Sequence, residues 1–229
     1  MRKERATVHI LTTLDDIVWL LNIRGNDVAC NPVVLSYALI TLDKFYLFIN
    51  EEVLDQQVKE YLKETGVTVC PYDKVYYEVS RLKGEKVLLE SSRVNYSILR
   101  NLDSSNQIID RMNPTAFAKS VKNPVEIENM KKAHIKDGVA MTKFIDWLKN
   151  NIGKSQITEV SAQKYLDHLR FLQPGNLGLS FPTISAYGSN AAMCHYSATE
   201  ENDTVIMPKG LYLVDSGGQY YEGTTDVTR

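Results

Sequence analysis

From Thr7 to about Ile109 the chain alternates short apolar runs with polar stretches that carry apolar residues at helical spacing. Residues 17–21, 36–42 and 67–69, with Phe45–Ile49 and Lys86–Leu89, are short, apolar and bounded by polar or turn-forming residues, so they predict strands. Between them Val53, Leu54, Val58, Tyr61 and Leu62 recur as one helix face, and Gly66 stands where a C-terminal cap belongs. Strands alternating with helices predict an α/β layer structure. No repeat or low-complexity tract interrupts it.

The pattern changes between residues 111 and 123, where Asn-Pro occurs twice. Asn123 can cap a helix, Pro124 takes the first helical position, and Glu126 completes a capping box. Ile127, Met130, Ala133, Met141, Phe144 and Leu148 then mark an apolar stripe that ends before Gly153. A second helix is expected over 158–172, with Val160, Leu166 and Leu169 inward and Pro174-Gly175 as its stop. Residues 183–187, 193–196 and a closing hairpin read as strands. Two helices followed by antiparallel strands predict an α+β unit, so we expect an α/β domain over 1–115 and a separate α+β unit over 122–229.

The hairpin carries the chemistry. Residues 211–214 form an apolar run, Gly217, Gly218 and Gly223 signal turns or bulges, and Thr224 to Thr228 is β-branched around an aspartate. A turn near Tyr220 and Tyr221 would set Asp215 opposite Asp226. Cross-strand neighbours are about 4.5–5.5 Å apart at Cβ. Two carboxylates that close repel unless a proton or cation lies between them. Hard divalent ions suit such oxygens, although aspartates in a Gly-rich hairpin are more commonly turn formers. Hydrophobic-Asp-Ser-Gly is also how an aspartic protease presents its carboxylate. That chemistry needs a second such aspartate in an all-β chain, and the predicted helices speak against it.

Composition narrows the field. Of 229 residues, 44% are hydrophobic and the net charge is −2, which disfavours nucleic acid and anionic membranes as partners. No apolar run is long enough to span a membrane. Cys30, Cys70 and Cys194 fit neither a zinc spacing nor a disulfide framework, which points to a reducing cytoplasm. Cys194 beside His195 invites a cysteine nucleophile, but on the strand predicted there the two would face opposite ways. His195 alone is more often structural than catalytic. His9, His134 and His168 read as packing or surface residues, and Tyr72, Tyr76 and Tyr77 as a packing or interface cluster.

Taken together, GLSFPTISAYGSNAAMCHY (178–196) and LVDSGGQYYEGTTDVTR (213–229) resemble the Xaa-Pro aminopeptidase branch of the pita-bread metallopeptidases. That group also includes prolidase, creatinase and methionine aminopeptidase. Upstream, WLLNIRGNDV (19–28) and NPV (31–33) resemble the domain that precedes the catalytic one in three-domain members. The resemblance spans nearly the whole chain and is specific through the order of its motifs. It implies a creatinase-N-like α/β domain followed by the first half of a pita-bread domain. It also implies hydrolysis of Xaa-Pro peptides by water activated on two divalent ions, usually manganese, in a homodimer.

By the resemblance Asp215 serves one ion, Asp226 bridges both, and His195 contacts substrate and steadies the tetrahedral intermediate. The family takes one further His and two Glu as ligands, and these are not among the 229 residues. The expectation is therefore a chain truncated at both ends, with weak or no metal binding, little activity alone and exposed strand edges in its second unit. Prolidase, or a catalytically silent pita-bread binding module, are the alternatives. The 19–28 motif favours the aminopeptidase, and the two intact aspartates favour an enzyme.

Overall fold

The strand Val8–Leu11 (β1) is buried along its whole length and lies inside a mixed six-stranded sheet. Around it stand Ser36–Thr41 (β2), Phe45–Ile49 (β3), Val67–Pro71 (β4), Lys86–Leu89 (β5) and Gln107–Asp110 (β6), in the order β4-β3-β2-β1-β5-β6. β1 pairs antiparallel with β2 and β2 with β3, whereas β1·β5, β3·β4 and β5·β6 are parallel. This computed structural model describes all 229 residues and divides them into two units. The sheet belongs to the first, Met1–Val28 with Pro32–Val121.

Helices cover both faces of this sheet, as parallel pairs require. One face gathers Leu11, Ala38, Leu47 and Ile49 with the helices Leu14–Leu21 (α1) and Gln56–Glu64 (α2). The other gathers Val8, Ile10, Leu39, Phe48, Val87 and Leu89 with Lys74–Ser80 (α3) and Tyr96–Asn101 (α4). A further short helix, Pro114–Ser120 (α5), sends Lys119 to the buried Asp16 of α1 at 2.7 Å. Gly66 caps α2 as expected, with φ of +79° and its N–H on the Lys63 carbonyl.

Residues 17–21 are helical, not a strand. Thr13 precedes α1, and Asp15 and Asp16 lie in its first turn, where the positive end of the helix favours them. A five-residue apolar run does not reveal its period, and the flanking polar residues decide it. Tyr72 and Tyr76 pack against Tyr37, with Tyr37 and Tyr72 ring centroids 5.1 Å apart, whereas Tyr77 stays exposed beside Lys74 and Arg81.

The second unit is Lys122–Arg229 with Ala29–Asn31. Its first helix, Pro124–Asn151 (α6), has the capping box on Asn123 and Glu126. Its second, Glu159–Phe171 (α7), is capped by Thr158 and followed by Gly175 at φ +73°. Phe144, Met141, Leu166, Leu169 and Val214 form the core between helices and strands, and Trp147 stacks on Tyr165 at 4.1 Å. Val160, expected inward, is only half-buried, and the fully buried residues of that turn are Glu159 and Ala162.

Six short strands follow as two three-stranded sheets. They are Asn176–Leu179 (β7), Ile184–Tyr187 (β8), Tyr212–Ser216 (β9), Gly218–Tyr220 (β10), Gly223–Thr224 (β11) and Val227–Thr228 (β12), ordered β11-β10-β7 and β12-β9-β8. No strand forms over 193–196. That segment is a turn following the 3₁₀ stretch Gly188–Ala192, and His195 there has φ of +56°, outside any strand.

Candidate functional site

Asp215 sits on β9 between Ile184 of β8 and Thr228 of β12. Its half-buried carboxylate accepts a hydrogen bond from the Thr228 hydroxyl at 2.8 Å. The hairpin closes at Tyr221 and Glu222, because Tyr220 pairs with Gly223 and Gln219 with Thr224. Asp215 therefore faces Thr228, and Asp226 is not directly opposite it. The reason is tertiary. Lys136 of α6 holds the Glu222 carboxylate at 2.6 Å and the Pro174 carbonyl at 2.8 Å, and the Tyr221 N–H donates to the Gly175 carbonyl. These contacts fix the turn one step further along than the sequence suggests.

Asp226 precedes β12 and pairs with no strand residue, and alternation carried back from Thr228 would set it on the Asp215 side as a diagonal neighbour. Diagonal pairs lie about 7–8 Å apart, within reach of a shared ion. Between them the ladder is interrupted. Thr225 turns inward and is buried, and it receives the Gly218 N–H on its hydroxyl at 2.9 Å. Its carbonyl accepts the Ser180 hydroxyl at 2.8 Å. Asp226, next to it, is exposed.

Gly217 makes this inward bend possible. A β-carbon there would lie 2.0 Å from the Thr225 carbonyl oxygen and 2.3 Å from Ser180 Oγ. Close backbone approach, rather than an unusual φ, demands the glycine.

His195 is exposed in the turn after the 3₁₀ stretch, which itself leaves the end of β8, the neighbour of β9. No hydrogen bond or ion pair joins it to either aspartate, and no three His, Cys, Asp or Glu side chains form a metal-ligand group. Cys194 and His195 lie in a turn, where strand alternation does not separate their side chains. Both are exposed there, and no hydrogen bond couples thiol to imidazole. The remaining histidines are peripheral: buried His9 meets Asn113 at 3.3 Å, His134 meets the Met130 carbonyl at 2.9 Å, and His168 is exposed on α7.

The sequence gives no hint of the polar network beneath the turn. Glu159, Asn190 and Tyr196 form a buried cluster, with the Tyr196 hydroxyl donating to Glu159 at 2.8 Å. A glutamate in a first helical turn reads as ordinary helix-end charge, so only the fold reveals it.

Two carboxylates and a hydroxyl carried on one hairpin are chemically suited to a hard divalent ion. They are too few to fill two octahedral coordination shells, which together want about ten to twelve ligand positions. Their chemistry thus fits part of a divalent-ion site.

Residues 1–126 match the creatinase/prolidase N-terminal domain, and residues 128–229 match metallopeptidase family M24. The chain is 37% identical over 241 residues to a probable Xaa-Pro aminopeptidase P of Sordaria macrospora, covering 100% of this chain and 39% of that protein. Among solved structures it is similar to the X-prolyl aminopeptidase of Caenorhabditis elegans, described as a cytosolic enzyme with a di-nuclear active site. There the TM-score is 0.93 at 32% identity, covering 100% of this chain and 39% of the other. An Xaa-Pro dipeptidase from Bacillus anthracis, at TM-score 0.73 and 19% identity over 100% of this chain and 61% of its own, shares the fold. The chain spans 39% of the length of the curated relative it matches.

Proposed function

The chain belongs to the creatinase/prolidase family, its N-terminal domain continuing into an M24 metallopeptidase segment, and from this we propose that it serves the chemistry of an Xaa-Pro aminopeptidase. The substrate class is peptides with proline in second position. Asp215 and Asp226 are the carboxylate ligands of two divalent ions, manganese by family precedent, and His195 contacts the substrate. The complete enzyme works as a homodimer in the cytoplasm. Three free cysteines and a relative described as cytosolic support that compartment. No helix is long and apolar enough to cross a membrane.

The observation that supports this reading is the hairpin register, which sets Asp215 opposite Thr228 and from which strand alternation would put Asp226 on the same side. When bound, such ions supply Lewis-acid activation of water and of the scissile carbonyl. The chain's own residues do the rest. Asp215 is braced by Thr228, which fixes one carboxylate oxygen and leaves the other free to bind. His195 would donate to the carbonyl oxygen as negative charge grows there. Proline lacks an N–H and has a fixed φ, so a pocket shaped for its ring can demand it.

Two carboxylates alone hold metal weakly, so the 229-residue chain is inactive by itself. Calorimetric titration with manganese should give dissociation constants well above micromolar, and Asp226→Ala should remove what binding there is. In a form extended by the remaining ligands, Xaa-Pro peptides should be cleaved and Asp226→Ala should abolish turnover. His195→Ala should slow turnover by about two to three orders of magnitude. Sub-micromolar stoichiometric binding, or robust proline-specific cleavage by the 229 residues, would overturn the assignment.

A further inference from the structure

Glu159 is the first residue of α7 and is fully buried. A carboxylate inside a protein needs its oxygens hydrogen-bonded. Here the donors are the Tyr187 N–H at 2.5 Å, the Asn190 amide at 3.1 and 3.2 Å, and the Tyr196 hydroxyl at 2.8 Å. All come from one stretch of chain, 187–196, which runs from the end of β8 across the 3₁₀ segment. No lysine, arginine or histidine pairs with Glu159, so these donors and the positive end of α7 compensate its charge. The Asn190 amide also contacts the Tyr196 hydroxyl at 3.0 Å and Thr204 Oγ1 at 3.2 Å.

His195 lies within this stretch in the left-handed region, with φ of +56°. The Tyr196 N–H closes the turn on the Met193 carbonyl at 3.3 Å, which places His195 where a tight turn ordinarily takes Gly or Asn. A backbone state of that kind persists where its surroundings over-determine it. Both flanks of Cys194-His195 are fastened to the same carboxylate. Tyr196 reaches it directly, and the Met193 N–H binds the carbonyl of Asn190, whose side chain reaches it too.

We propose that Glu159 is a positioning residue for His195: its buried carboxylate gathers the 187–196 strap and holds the turn that presents the imidazole. This rests on the reading of His195 as a substrate contact. Burial, with Glu159 alongside, pushes the Tyr196 phenol up to about 12, so it stays a donor at any working pH.

The test uses the 229-residue chain and the ring NMR signals of its four histidines, with His195 assigned from its loss in His195→Gly. Glu159→Gln keeps the volume but turns an amide donor toward donors. The His195 signal alone should then shift, and amide exchange across 188–196 should quicken about tenfold or more. Tyr196→Phe, a milder change, should shift the same signal the same way.

A cycle adds a second readout. His195→Gly relieves the backbone and should reduce the unfolding equilibrium constant in urea by about five- to thirty-fold. With Glu159→Gln present that gain should vanish, because the turn is no longer enforced. The proposal fails if His195 is unmoved in folded variants, if all four histidines move together, or if the glycine gain is equal in both backgrounds. It also fails if neither variant folds, since Glu159 would then serve the whole unit. No readout involves metal or peptide, so a failure here leaves the assignment of Asp215 and Asp226 standing. Absence of peptide hydrolysis would likewise leave this coupling intact.

Discussion

At the scale of single residues, the site depends on a glycine as much as on its carboxylates. Gly217 lets the Thr225 carbonyl approach to where a side chain would otherwise stand, and Thr225 is the residue before Asp226. Gly217→Ala must push that carbonyl away, and overpacking of this kind costs about 1–3 kcal/mol. Gly138, inside α6 with nothing within 4 Å of its would-be β-carbon, is the matched control. Gly138→Ala should stabilise the chain by about 0.5–1 kcal/mol through helix propensity. Urea denaturation of both variants checks the opposite signs. The two aspartates and His195 were legible in the sequence as candidates. Glu159 was not, because burial is a property of the fold and a helix-start glutamate carries no local mark of it.

Among the elements, the hairpin is tied to the helices through one buried cluster. Arg170 of α7 is fully buried and holds Asp137 of α6 by two hydrogen bonds, at 2.6 and 3.1 Å. The Tyr220 hydroxyl of β10 donates to the same carboxylate at 3.1 Å, and burial with Asp137 alongside pushes that phenol up. Removing one member leaves an uncompensated buried charge. Asp137→Ala should therefore destabilise by about 3–5 kcal/mol, measured by thermal or urea unfolding, while Asp137→Asn should lose less. Elements with explicit end signals were readable: Asn123, Pro124 and Glu126 announce α6, and Phe45–Ile49 and Lys86–Leu89 emerge as the strands expected. Elements without them were not. Residues 17–21 have no period of their own, and 193–196 look extended although Glu159 folds them into a turn.

For the whole molecule, titration of buried groups sets the response to acid. Burial lowers His9 below its ordinary 6.5 despite the Asn113 contact, which raises it. The unfolded chain therefore binds that proton more readily, so stability is complete above about 6.5 and falls as pH drops from there toward the folded value. Asp16 acts later. Burial pushes its carboxyl up, but hydrogen bonds from Lys119 and Thr13 outweigh it and hold it below 3.8, so its contribution is lost only as pH falls below that value. Asp167 works the other way, raised by burial, and gives back some stability on acidification toward 3.8. Stability measured by urea at stepped pH should begin to decline just below neutrality. His9→Gln, which can keep the Asn113 hydrogen bond, should flatten that first decline and leave the later one.

The turn at Tyr221 and Glu222 makes the hairpin a ruler. Its two strands keep a single register on either side of the break at Thr225, so the distance from turn to carboxylate is counted in residues. Many substitutions in the turn would preserve that count. Adding or deleting one residue between Gly218 and Asp226 would send Asp226 to the opposite side from Asp215. The hairpin's sensitivity therefore lies in its length more than in its lettering, and a site tolerant of varied spelling can still be intolerant of a single slipped frame.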